Sequence, residues 1–330
     1  MIDTEKTSAL DRLYNENGAE SLIAAFKEIA ATKLTEAVKL LNDENLSFTC
    51  LFLLIPEIIS FKLANRLNLR NITALRICAQ SKRYKNLLAQ LPEPRQDITK
   101  SVLKWMFITG VKADGISNEY DAMLDKAFAM LMINYHDRSL LKNAADLIFS
   151  RNRRGEYIHD IVWAYFKIKD FEALKLIAEY LLSKDERDVE LASELLHYTP
   201  NKDDFISSPE SCYKEYIGWL DDNSPFLYFT DESFNYSSSP EPCNMDEQAR
   251  YINKEVSNFT KQFTHPLSSF EAQKINSFIK LDKNERRMLS DFSHKMYKND
   301  FSKWSNWIKK PISKQLEDAK NALEVRNDYY

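Results

Sequence analysis

Glycine is scarce in this chain. Among 330 residues there are five: Gly18, Gly110, Gly115, Gly155 and Gly218. No two stand close enough to form a G-x-G-x-x-G or Walker loop. Folds that cradle phosphates on backbone N–H groups need glycine so that the chain can approach the anion. The sequence therefore argues against Rossmann and P-loop enzymes, and against hairpin-rich β folds, whose turns need positive φ. The four cysteines, Cys50, Cys78, Cys212 and Cys243, are far apart and form no zinc spacing. They read as free thiols of a reducing compartment rather than as disulfides.

Histidine is also sparse, with His136, His159, His197, His265 and His294. There is no H-E-x-x-H and no i,i+4 pair. His136-Asp137 and His159-Asp160 are neighbours in sequence, but helical neighbours diverge by roughly 100°, so these read as surface or core histidines. No local motif supports Cys243 with His265 or His294 as nucleophile and base. The carboxylate pairs Asp203-Asp204, Asp221-Asp222 and Asp231-Glu232 lack EF-hand spacing and read as solvated. The most apolar run, Leu46 to Phe61, contains Pro56 and Glu57 and is shorter than the ~20 residues of a membrane span. The opening MIDTEKTSALDR is acidic and polar, unlike a signal peptide. These readings predict a cytoplasmic chain with no membrane partner, metal or cofactor.

What the sequence does have is helical periodicity. Leu22, Ile23, Phe26 and Ile29 share one face of 19–30, and Leu34, Val38 and Leu41 repeat the pattern over 33–41. A pair of helices is expected over 71–91, ended by Pro92 and Pro94. Asp97 is positioned to cap a helix over 98–109, stopped at Gly110. Five more follow at about 119–135, 138–151, 156–168, 170–183 and 186–197, the last ending before Pro200. Their short turns predict antiparallel neighbours. A shift of 33 residues lays 129–151 on 162–184 without a gap: Asp137 falls on Asp170, Leu141 on Leu174, Lys142 on Lys175 and Ala145 on Ala178. That is the behaviour of a stacked helical hairpin.

The segment AYFKIKDFEALKLIAEYLL, 164–182, resembles the middle of a tetratricopeptide (TPR) repeat, with Ala164, Tyr165, Asp170 and Phe171 in matching places. Val162 and Leu174 stand where that family uses small residues, and no proline closes the unit near Glu186. HEAT-like helix pairs fit as well. The resemblance implies architecture only: an all-α chain of stacked antiparallel helical hairpins, an α-solenoid of TPR- or HEAT-like type, with an additional C-terminal helical region.

Composition divides the chain into a helical-repeat domain (1–202), an acidic aromatic Ser/Pro-containing segment (203–247) and a C-terminal helical region (248–330). The middle segment holds eleven acidic residues against one basic, Lys214. Its Phe226, Tyr228, Phe229, Phe234 and Tyr236 do not suit a flexible linker. Packing on the protein's own helices, contact with a partner, and true disorder are the competing readings. Within this segment 209–220 can form a helix, and Asn244 can cap one at 245–254. Beyond it, helices are expected at 269–279 and 283–297, from Asp300, and from Pro311.

The most suggestive surface is basic. From Ile58 to Pro92 there is no Asp or Glu, while Lys62, Arg66, Arg70, Arg76, Lys82, Arg83 and Lys85 are present. Lys62, Arg66 and Arg70 line one face if that helix continues. A solvated face, an acidic surface (internal or on a partner) and phosphate binding are the three readings. Trp304 and Trp307 share a helical face, either as a core anchor or, with Phe229, Phe234 and Tyr236, as interface aromatics. The function expected is a non-catalytic scaffold or adaptor that binds a protein or peptide. The alternatives are nucleic-acid binding through 58–92, and an enzyme whose site is assembled from distant helices.

Overall fold

The computed structural model describes residues 7–81, 83–92, 97–198, 209–232, 237 and 240–327. Lys82, Pro94, Pro200, Asp203, Asp204, Phe234 and Tyr236 lie outside the described residues. The described chain is mostly helical and forms two compact units, 1–148 and 149–330. The compositional boundaries at 202 and 247 both fall inside the second unit.

The first unit contains α1 (Ala9–Thr32), α2 (Leu34–Leu41), α3 (Phe48–Leu53), α4 (Ile55–Ser60), α5 (Leu69–Cys78), α6 (Thr99–Gly110) and α7 (Asn118–Tyr135). Ser8, Ser47, Asn68 and Ser117 cap α1, α3, α5 and α7 with their side-chain oxygens. Asp97 accepts from the Thr99 N–H at the start of α6. α1 bends at Gly18, where φ is +80°, so the amphipathic stretch read from 19 is its second segment. α1 packs on α2 and α3, and α6 packs on α3, α5 and α7.

Phe48 is central to this unit. Its ring stacks on Tyr120 at 5.7 Å and meets Trp105 edge-on at 6.0 Å. The Tyr120 hydroxyl, fully buried, donates to the Gly110 carbonyl at 2.9 Å and lies 2.8 Å from Thr49 Oγ1. A buried carboxylate, Asp11, gathers the Ser8 hydroxyl at 2.5 Å, the Ser47 N–H at 3.0 Å and the Cys50 thiol at 3.1 Å. Burial, and then the Asp11 charge, push the Cys50 thiol far up, so it stays protonated.

Helix α8 (Leu141–Arg154) contains the division between the units. The second unit continues with α9 (His159–Phe166), α10 (Phe171–Ala178), α11 (Glu186–Leu196) and α12 (Pro209–Asn223). α10 packs on both α11 and α12. Then come β1 (Leu227–Phe229), β2 (Cys243–Met245), α13 (Glu247–Ile252), α14 (Ser269–Phe278), α15 (Lys283–Asn299), α16 (Phe301–Trp307) and α17 (Ile312–Asn327). α15 packs on α13, α16 and α17. Beneath it lies a core of Tyr251, Ile252, Phe278, Leu289, Trp307 and Ile308.

The two strands are the element that helical periodicity could not foresee. They pair antiparallel, Leu227 opposite Met245 and Phe229 opposite Cys243. Asn244 therefore sits in a strand, and Asp246 caps α13 instead, accepting from the Gln248 and Ala249 N–H groups. The ladder is fastened to helices. Phe229 stacks on Phe171 at 5.6 Å, Asp231 accepts from Lys167 and Lys169 at 2.7 and 2.8 Å, and the His197 ring lies 2.7 Å from the Pro240 carbonyl. The described part of the acidic aromatic segment thus packs on the protein's own helices.

The 33-residue repeat has a local counterpart in the backbone. His136 and Lys169 both adopt positive φ, 45° and 51°. Each is followed by an extended Asp that accepts from the N–H two residues on, Asp137 from Ser139 and Asp170 from Glu172. Two phase-matched turns therefore place a left-handed residue and a capping aspartate at equivalent positions.

Candidate functional site

The basic segment 58–92 is not one helical face. α4 ends at Ser60, where Lys62 takes positive φ and the Leu63 N–H reaches back to the Ile58 carbonyl at 2.9 Å. That six-to-one bond terminates the helix. Arg66 lies in a short 3-10 turn and Arg70 at the start of α5, so the condition for aligning Lys62, Arg66 and Arg70 is not met.

Three of the cations serve the fold itself. Arg70 donates to the Glu44 and Asp43 carbonyls at 2.6 and 2.8 Å, with its guanidinium 4.3 Å from the centre of the Trp105 ring. Burial lowers its pKa, opposed by Asp43 and Glu44; an arginine so placed remains charged. Arg76 donates to the Pro92 carbonyl at 2.9 Å, and Arg83 pairs with Glu119 at 2.8 Å. Lys62, Arg66 and Lys85 are exposed.

The aromatic candidates are distributed differently. Phe229, in the ladder, is 4% exposed, and Trp307 is 3% exposed. Trp307 meets Phe292 edge-on at 5.4 Å and Tyr251 at 6.4 Å. A side chain so enclosed contributes about 2–3 kcal/mol by burial and anchors the core. Trp304 is half-buried; its indole N–H donates to Ser293 Oγ at 2.8 Å and its ring stacks on Phe301 at 5.8 Å. Phe301 is 60% exposed.

A groove that sequence reasoning did not single out runs along α15. The residues Asn284, Met288, Phe292, Met296 and Asn299 recur at three- and four-residue spacing, so they share one helical face. With Ala319 and Ala322 of α17 they line a groove of about 570 Å³. Met288, Phe292 and Met296 are only partly buried. Its charged margin is Arg287, Asp291, Lys295, Asp300 and Lys303. Both acids are already engaged: Asp291 pairs with Arg250, and Asp300 caps α16 and pairs with Lys303 at 3.2 Å. Arg287 and Lys295 are exposed and make no ion pair among the described residues. The sequence signal was present in Met288-x-x-x-Phe292-x-x-x-Met296, but such a stripe reads as ordinary core until the neighbouring helix is known.

Among the described residues no group of three or more His, Cys, Asp and Glu is placed to hold a metal ion, and no helix is long and apolar enough to cross a membrane. Compared with protein-family models, curated proteins and solved structures, the chain matches none.

Proposed function

We propose that the protein is a non-catalytic helical scaffold, and that its second unit takes an amphipathic helix with acidic flanks from a protein partner. The observation that carries this reading is the α15–α17 groove, with a Met/Phe floor and a margin whose acids are spent internally while Arg287 and Lys295 are not. Methionine floors adapt to varied apolar side chains, and helix-in-groove recognition uses anchors at i, i+3, i+4 and i+7. The two cations select acidic flanks and raise the association rate. On this reading the α10–α11–α12 succession is a stacked, TPR- or HEAT-like arrangement that supports the groove-bearing region. A reducing, cytoplasmic setting suits the free thiols Cys50, Cys78, Cys212 and Cys243.

The test is fluorescence anisotropy with a helical peptide carrying leucines at i, i+3, i+4 and i+7 and glutamates on both flanks. Its counterpart has lysines in place of the glutamates. The acidic peptide should bind saturably, and Arg287→Glu with Lys295→Glu should weaken it about tenfold or more, the equivalent of one favourable charge contact. Equal binding of both peptides, or binding unmoved by the charge reversals, would refute the groove as the site. Duplex DNA or RNA belongs in the same assay. A contact there that weakens steeply with salt would instead favour phosphate binding through Lys62, Arg66 and Lys85.

A further inference from the structure

In the second unit, α9 and α11 form a crevice that another part of the same chain fills. Val162, Trp163 and Phe166 line it from α9 and Leu195 from α11, and Glu232, Pro240 and Pro242 close it. The space left between them is about 10 Å³, room for one water at most. Pro240 and Pro242 are both buried, while Glu241 between them is exposed. Trp163 is half-buried, and Lys167 Nζ lies 5.1 Å from the centre of its ring. The crevice is therefore an apolar, aromatic-walled surface whose occupant is a Pro-x-Pro run leading into β2.

The chemistry of the run explains the fit. Proline fixes φ and extends the residue before it, so a Pro-x-Pro run is pre-set and loses little freedom when it binds. Proline nitrogens carry no hydrogen, so such a run is recognised through its rings and its carbonyl acceptors. Both kinds of contact are present. The Pro240 carbonyl lies 2.7 Å from Nε2 of His197, the left-handed C-cap of α11. A carbonyl only accepts, so Nε2 carries the proton. The Glu241 carbonyl accepts from the Thr230 hydroxyl, and the Pro242 carbonyl from the Thr230 N–H at 3.1 Å. The run is fastened from its flank by Asp231, which accepts from Lys167 and Lys169 while its side chain is 46% exposed. Ion pairs this exposed contribute little, so the outer fastening opens more easily than the buried helices beneath it.

We infer that the α9–α11 crevice is a recognition site for an extended Pro-x-Pro segment of a partner protein, and that Pro240 and Pro242 occupy it in cis in the free chain. The occupant in cis specifies the ligand chemistry: two proline rings beside Trp163 and Phe166, and a carbonyl presented to His197. A site filled from within binds a partner with an affinity lowered by the fraction of molecules in which it is open, so the Asp231 latch sets the threshold for capture. The crevice shares no lining residue with the α15–α17 groove, so either can fail without the other.

The test uses the full chain and a fluorescein-labelled peptide, SSPEPSN, with SSAEASN as its control. Binding is followed by anisotropy and by the Trp163 indole N–H resonance, assigned with Trp163→Phe. Pro240→Gly with Pro242→Gly, which empties the crevice, should bind SSPEPSN saturably and at least tenfold more tightly than the wild type. Adding Trp163→Ala should abolish that binding. Asp231→Asn, an exposed change that leaves both prolines in place, should tighten binding about threefold or more. It decides the matter alone should circular dichroism show that the glycine variant does not fold. No saturable binding by the variants that fold, equal affinity in wild type and variants, or equal binding of SSAEASN would overturn the inference. An Asp231→Asn protein that dimerises without peptide would also overturn it, by making a second copy the occupant.

Discussion

Asp137 shows how one residue's role depends on what folding brings to it. In sequence it is a turn aspartate beside a histidine. In the structure it is buried and accepts from Ser139, while Lys100 and Lys104 lie 3.1 and 2.9 Å away. Burial alone would raise its pKa, but the hydrogen bonds from Lys104, Ser139 and Lys100 outweigh it and hold the carboxyl well below its ordinary value. A carboxylate depressed in the fold contributes stability above its unfolded pKa of about 4 and loses it as pH falls through the folded value. Asp137→Asn should therefore destabilise the protein by about 1–3 kcal/mol at pH 7. The difference should shrink as pH falls below about 4. Thermal midpoints of both proteins across the acid range measure this, and a gap that does not shrink would remove the ion-pair explanation. Arg70 makes the same point for the basic segment: its bonds to the Asp43 and Glu44 carbonyls make it a fastener of the loop between α2 and α3.

At the scale of elements, the close approach of α6 and α7 rests on Gly110. A Cβ built there would lie 2.5 Å from Leu124 Cδ2, 2.9 Å from Tyr120 Oη and 3.3 Å from Phe48 Cδ1. All three belong to fully buried side chains. Gly110→Ala would gain up to about 1 kcal/mol of helix propensity, but the overpacking costs about 1–3 kcal/mol, and the loss of the Tyr120-to-carbonyl geometry adds to it. Net destabilisation of about 1–2 kcal/mol is expected, read from the shift in urea midpoint at unchanged slope. Gly110 was legible as a helix stop, because glycine commonly ends helices. That it also admits a neighbouring helix was not legible, since nothing local in 98–110 records the distance to Leu124. The helices themselves were largely readable from apolar spacing and from capping residues such as Asp97. The β1–β2 ladder was not, because it pairs Leu227 with Met245 and Phe229 with Cys243, residues far apart in sequence, and draws its stability from Phe171, Lys167 and Lys169 on other elements.

At the scale of the whole molecule, a ligand bound by the folded state gives a way to act on stability. A partner helix bound only by the folded second unit stabilises it by mass action, about 2.7 kcal/mol at a hundredfold excess over Kd. The acidic peptide should raise the thermal midpoint of the wild-type protein by a few degrees, and that of the Arg287→Glu, Lys295→Glu variant by about half as much or less at the same concentration. Differential scanning calorimetry decides this; an equal rise in both proteins would place the peptide elsewhere. The groove does not announce itself in the sequence: Met288, Phe292 and Met296 are spaced as any core stripe is.

The sequence by itself determined the helical class, the positions of most helices, and the paired turns at Asp137 and Asp170. These follow from local causes: 3.6-residue periodicity, side-chain caps and a near absence of glycine. The tertiary structure alone decided which charges remain available and which polar atoms lack partners. A side chain's worth depends on neighbours distant in sequence, as Arg70 depends on Trp105, Asp291 on Arg250 and His294 on Asn253. Periodicity records which face of a helix is apolar, but it carries no record of what that face will meet.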